Sequence, residues 1–140
     1  MEKSNSTMAQ QIAQVASAFE QQRTGQMPKS VTVVQSDGTL VITLHGALSP
    51  AERALLAKSP AGAAKMREFH RQLFNDSADA MRQEIKRITG VEVREATAEV
   101  EPTTGTVVKV FTTGTMVQVY LLAHSVPAET WNRSGPGGQS

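Results

Sequence analysis

Leu44-His45-Gly46-Ala47-Leu48-Ser49-Pro50-Ala51-Glu52 is the stretch that most restricts the folds open to this chain. An apolar run ends, the chain turns on a glycine, and a helix begins at once. The Ser49 hydroxyl can accept from the Glu52 N–H, and the Glu52 carboxylate can accept from the N–H of Ser49. Pro50 takes the first helical position, where its missing N–H orphans nothing. A strand delivered straight into a capped helix calls for a mixed domain in which helices lie against a sheet.

The residues before that element read as a hairpin. Val31–Gln35 and Leu40–Leu44 flank Ser36-Asp37-Gly38-Thr39, and Asp-Gly suits a type I′ turn with positive φ at both central residues. A two-residue loop pairs Val34 with Val41, Val33 with Ile42 and Val31 with Leu44. One face then carries Val31, Val33, Leu40, Ile42 and Leu44 and belongs to the core. The other carries Thr32, Val34, Val41, Thr43 and His45, a half-polar surface suited to solvent or a subunit interface.

Helical periodicity appears twice. Met8, Ile12, Val15 and Phe19 form one stripe over residues 6–23, stopped by Thr24-Gly25 with Pro28 beyond. After a short helix to Lys58, Ser59-Pro60-Ala61-Gly62 offers a second cap. A long helix is then expected over 61–89, with Met66, Phe69, Leu73, Met81, Ile85 and Ile88 on one face. Asn75-Asp76-Ser77 is its weak spot, because short polar side chains compete for backbone hydrogen bonds. Gly90 closes it.

The last third reads as β. Val91–Val100 alternates imperfectly, as a strand bulged near Arg94-Glu95 would. Residues 106–112 and 115–122 form a second hairpin about Thr113-Gly114. That loop places Val108, Val110, Val117, Val119 and Leu121 on one face, and Val107, Phe111, Met116 and Tyr120 on the other. Both faces are apolar, so one helical layer leaves a surface uncovered and a homodimer is expected through Val34, Val41, Phe111, Met116 and Tyr120. Trp131 is a further candidate contact.

These elements give an α+β two-layer domain over residues 1–122, in the order α-β-β-α-α-β-β-β. An antiparallel sheet of about five strands carries helices on one face, and a flexible tail follows over 123–140. The expected core is Ile12, Val15, Phe19, Val33, Leu40, Ile42, Leu44, Phe69, Leu73, Met81, Ile85, Val108, Val110, Val117 and Val119. A formal net charge of +1 with interspersed signs argues against nucleic acid as a partner. With no cysteine there is no thiolate metal site or cysteine nucleophile. No apolar run reaches the roughly 20 residues of a membrane span, and the N-terminus lacks a leader's apolar core. The expected compartment is the cytoplasm, without direct membrane insertion.

Candidate chemistry is sparse. His45, His70 and His124 share no HxxxH or HxH spacing, so a metal site would need distant residues to converge. Ser49 is explained as a cap, and no Gly-rich phosphate loop precedes a helix. No catalytic constellation, cofactor or metal is expected. The alternative reading is a small-anion or small-ligand binding protein or enzyme, with Arg53, Arg67, Arg71 and His45, on the helices and the hairpin exit, as the candidate site should the long helix overlie a cleft.

Two motifs in order carry a family resemblance: Gly46-Ala47-Leu48-Ser49-Pro50-Ala51-Glu52 at the hairpin exit, and Thr89-Gly90-Val91-Glu92-Val93 after the long helix. They match a "Gly-x-Leu-Thr-Pro-Ala-Glu" element and a "Thr-Gly-Val/Lys-x-Val" element. Over roughly residues 8–122 the chain resembles the small bacterial domain family named after a component of the sodium-translocating membrane-potential-generating system. The resemblance implies a soluble interaction or regulatory module, partner of a membrane system linked to cation and inorganic-carbon uptake. It brings no catalytic residues. The chain departs from the family in its Gln-rich first helix, an additional final strand and a Gly/Pro tail.

Overall fold

The computed structural model describes residues 6–58, 60–94, 106–111 and 113–133. Helix α1 (Met8–Thr24) starts on a capping box, with the Thr7 hydroxyl accepting from Gln10 N and the Gln10 side chain accepting from Thr7 N. It ends at Gly25, whose φ of 77° is open to glycine at no steric penalty. Strands β1 (Ser30–Ser36) and β2 (Thr39–His45) form the hairpin in the register expected from Asp37-Gly38: Val34 faces Val41, Val33 faces Ile42 and Val31 faces Leu44. Both turn residues have positive φ, 52° and 76°, as a type I′ turn requires.

Helix α2 (Pro50–Lys58) opens on the expected box, with Ser49 N donating to Glu52 Oε1 at 2.9 Å and Glu52 N donating to Ser49 Oγ at 3.2 Å. The expected long helix is two. Helix α3 (Pro60–Asp76) ends at the weak spot and α4 (Ala78–Thr89) restarts after Ser77, whose hydroxyl turns back toward the carbonyls of Leu73 and Phe74. Strands β3 (Thr106–Val110) and β4 (Met116–Leu121) complete one antiparallel sheet in the order β1-β2-β4-β3. Among the described residues the sheet has four strands, against about five expected: of the segment from Val91, a single bridge, Val93 to Leu122, is seen, and residues 95–100 lie outside the described residues.

The second hairpin corrects the expected faces. Val110 pairs with Met116 and Val108 with Gln118, and Phe111 N donates to the Thr115 carbonyl, so the connection is longer than the two-residue loop about Thr113-Gly114. The register slips by one residue, and every β4 side chain changes face. Met116, Gln118 and Tyr120 point inward and are buried, while Val117, Val119 and Leu121 take the opposite face. The α3 stripe is also rotated. Ala63, His70 and Phe74 are buried and Phe69 is 53% exposed, so Phe69 is not a core residue.

The core lies between the inner sheet face (Leu40, Ile42, Leu44, Val110, Met116, Tyr120) and the helices, to which α1 contributes Met8, Ile12 and Ala16 and α4 contributes Met81, Ile85 and Ile88. Val15, Phe19, Val33 and Val108 pack at its margin. Beyond β4, on the stretch read as tail, Gln35 clamps the Val126 backbone: its Nε2 donates to Val126 O at 3.2 Å and its Oε1 accepts from Val126 N at 3.0 Å. The amide stands in for a strand partner at the β1 edge. It leads into α5 (Ala128–Trp131), whose Trp131 is 8% exposed and belongs to the same core. Residues 134–140 lie outside the described residues.

Candidate functional site

The four residues named as an anion site do not converge. Arg67 and Arg71, one turn apart on α3, line a groove of about 640 Å³ against β3, together with Lys109 and Phe111. Arg67 Nε donates to the Val110 carbonyl at 3.2 Å, which ties its guanidinium to the end of β3. Arg71 lies 3.9 Å from Glu68, a loose pair with both side chains more than half exposed. Arg53 is elsewhere: its side chain covers the turn at Gly114, where an added Cβ would come within 2.6 Å of Arg53 Cδ. His45 sits at the end of β2, exposed, with Nε2 3.4 Å from Thr32 Oγ1. Lys109 borders the groove, but the β3 register turns its side chain to the opposite sheet face, so Phe111 is what the fold adds beside Arg67 and Arg71.

Three polar pairs lie inside the domain instead. His70, 2% exposed, has Nε2 3.3 Å from Glu52 Oε2, so one carboxylate both caps α2 and holds an imidazole of α3. Glu20, 1% exposed, accepts from Arg23 at 2.8 Å. Arg23 also donates to Ser77 Oγ and lies 5.8 Å from the Phe74 ring centroid. It therefore ties the end of α1 to the α3–α4 break. The hydroxyl of Tyr120 donates to Gln118 Oε1 at 2.9 Å, both groups buried. Burial pushes the Tyr120 hydroxyl well above its usual pKa, with the charge of Arg23 acting in the opposite direction. Periodicity did carry a faint signal for Glu20, which continues the Met8, Ile12, Ala16 stripe at the next four-residue step. The Lys86 ammonium beside Glu92 lowers that carboxyl below its ordinary value at the surface.

None of these pairs aligns a nucleophile with a base and an open pocket. Among the described residues no three His, Cys, Asp or Glu side chains are grouped to hold a metal ion. Among the same residues no helix is long and apolar enough to cross a membrane.

The other surface of interest is the sheet face away from the helices. Register places Val34, Val41, Val119 and Val107 in one row crossing all four strands. The next row is Thr32, Thr43, Val117 and Lys109. None of these side chains belongs to the core cluster, and Val34 is 54% exposed. Val34 and Val41 were expected here. Met116 and Tyr120, named with them, are in the core because of the register slip, and Val117 and Val119 take their place. Phe111 is 48% exposed but lines the α3–β3 groove, and Trp131 packs on the domain.

No curated protein and no solved structure matches the chain. A family model described as "Na+-translocating membrane potential-generating system (MpsC)" matches residues 4–115. The order of the two motifs, the mixed fold they organise and this match over most of the sequence agree, and the chain belongs to the MpsC family.

Proposed function

We propose that the chain is a non-catalytic interaction module, accessory to a membrane cation or inorganic-carbon transport system and working as a homodimer through its outer sheet face. The row Val34–Val41–Val119–Val107 is the observation that carries the reading. An isologous interface needs a patch that faces its own copy without like-charge repulsion. The centre of this patch is uncharged, and Lys109 and His45 lie at its edges. The domain boundary proposed at residue 122 then marks the end of the sheet rather than the end of packing, since Val126 and Trp131 join the core. The family's name supplies the membrane system, and the cytoplasm is the compartment proposed for the module.

Co-purification tests it. The tagged full chain, mixed in detergent with the membrane proteins of that system, should retain them. Recovery no greater than that of a V41E/V119E variant overturns the reading.

The second reading is small-anion binding at Arg67 and Arg71. The observation that favours it is that both line one groove against β3. A thermal-shift series with bicarbonate and phosphate tests it: stabilisation abolished by Arg71→Glu supports it, and no shift in the wild type rules it out.

A further inference from the structure

The two edges of the sheet are finished differently. On β3, Phe111 bonds to Thr115, so the alternation turns the Val110 carbonyl to the free edge, where Arg67 Nε donates to it at 3.2 Å. Lys109 adds a charge to the same strand, and α3 lies against it. These are ways in which an edge is kept from pairing with another chain. β1 has none of them: from Ser30 to Ser36 it carries no charge and no proline. We propose that its open edge pairs antiparallel with β1 of a second copy, about a two-fold axis at Thr32, as a contact separate from the outer sheet face.

The hairpin decides which backbone groups are on offer. Its two-residue loop closes on the pair Ser36–Thr39, and bonded pairs recur at every second residue. Ser30, Thr32, Val34 and Ser36 therefore direct their N–H and C=O groups to β2, and Val31, Val33 and Gln35 turn theirs outward. Leu122 N donates to Gly38 O at 2.8 Å, which continues the same alternation on the other side of β2. Among the described residues nothing bonds to the outward groups of Val31 and Val33. Both residues keep partial exposure although their side chains pack at the margin of the core.

The Gln35 amide sets the length of the open stretch. By holding Val126 it closes the edge at position 35, which leaves Ser30–Val34 with Thr32 at the middle. Around that point Val31-Thr32-Val33 reads the same in both directions. A second copy run antiparallel about Thr32 sets Val31 of each copy against Val33 of the other. Each such pair exchanges both of its N–H to C=O bonds, and Thr32 meets Thr32 in a non-bonded pair with Cα atoms about 4.5 Å apart. Reversal thus matches β-branched side chains on both faces, Val with Val and Thr with Thr, which selects a second copy over an arbitrary strand. So short a contact buries far less than the roughly 1,600 Å² of a stable complex. It is therefore the weaker of the two interfaces, absent at micromolar concentration, and at higher concentration it joins outer-face dimers edge to edge.

Cysteine trapping tests it, in a chain with no cysteine of its own. At high concentration under mild oxidation, Thr32→Cys should give a disulfide-linked dimer, because about 4.5 Å between Cα atoms is within disulfide reach. Val34→Cys should be trapped at least about tenfold more slowly, since its two copies stand roughly 13 Å apart along the strands. Face-to-face packing yields neither link, because packed sheets lie about 10 Å apart, beyond the ~7 Å limit. Val33→Pro removes an outward N–H without touching the β2 ladder, so T32C/V33P should lose the link while keeping its circular dichroism. In the wild type, hydrogen exchange at the Val31 and Val33 amides should slow between micromolar and millimolar protein, and exchange at Thr32 and Val34 should not change.

Equal trapping of Thr32→Cys and Val34→Cys overturns the proposal, as does trapping that survives Val33→Pro. So do Val31 and Val33 amides whose exchange is the same at every concentration. The V41E/V119E background separates this contact from the outer face. Thr32→Cys should still be trapped there, and loss of trapping with circular dichroism unchanged assigns the contact to the outer face and overturns the edge pairing. Trapping in a chain that light scattering finds monomeric at micromolar concentration supports the edge contact and counts against the outer face alone.

Discussion

Removing one oxygen atom from Tyr120 tests which way β4 faces. The ring is fully buried beside Phe74, with centroids 5.9 Å apart, and its hydroxyl donates to Gln118 Oε1 at 2.9 Å. The Gln118 side chain is itself 2% exposed. Tyr120→Phe keeps the ring and strips the amide oxygen of its donor inside the core. An acceptor left unpaired in the interior destabilises by about 1–3 kcal/mol. Gln118→Leu alone strands the hydroxyl and should have a similar effect. In the double variant neither orphan remains, so the loss should be smaller than the sum, with a coupling of about 0.5–3 kcal/mol. Urea unfolding gives the numbers, followed by circular dichroism and by the fluorescence of Trp131, the one tryptophan of the chain. Had the hairpin closed on a two-residue loop, both side chains would stand on the open face. Tyr120→Phe would then change stability by no more than about 0.5 kcal/mol. That result, or strict additivity of the two changes, refutes the inward placement.

Two further outcomes follow from the same core. Because the Tyr120 hydroxyl keeps its proton in the fold above its usual value of 10.0, its contribution to stability is complete below about pH 10 and is lost as pH rises through the folded value. As Tyr120 is the only tyrosine, native protein near pH 10.5 should lack tyrosinate absorbance, and urea-unfolded protein should show it. Equal absorbance in the two states would show an ordinary, exposed hydroxyl. Phe74→Ala should lower stability by about 3–5 kcal/mol by opening a cavity, whereas Phe69→Ala, at an exposed site, should change it by less than about 1 kcal/mol. Urea midpoints check the ranking, and the reverse order would restore the stripe read from periodicity.

The two hairpins show where sequence is enough. Asp37-Gly38 demands positive φ at adjacent residues, so it fixes turn type, register and faces together. Around Thr113-Gly114 no such demand exists, and residues of both parities are apolar, so alternation could not choose between registers one residue apart. The capping box at Ser49 and the stop at Gly90 were legible because each is local backbone chemistry. The inward turn of His70 was not, because its partner Glu52 comes from another helix. The same holds for the groove. Arg67 and Arg71 could be named from the helix, but Phe111 reaches them only through the packing of β3 on α3.

Light scattering on the full chain addresses the central claim, that the outer sheet face is an assembly surface. The account predicts a dimer at micromolar concentration. It predicts a monomer with unchanged circular dichroism for V41E/V119E, which places two carboxylates in the row formed by Val34, Val41, Val119 and Val107. A wild type that stays monomeric as its concentration is raised, or a double variant that remains dimeric, would contradict it.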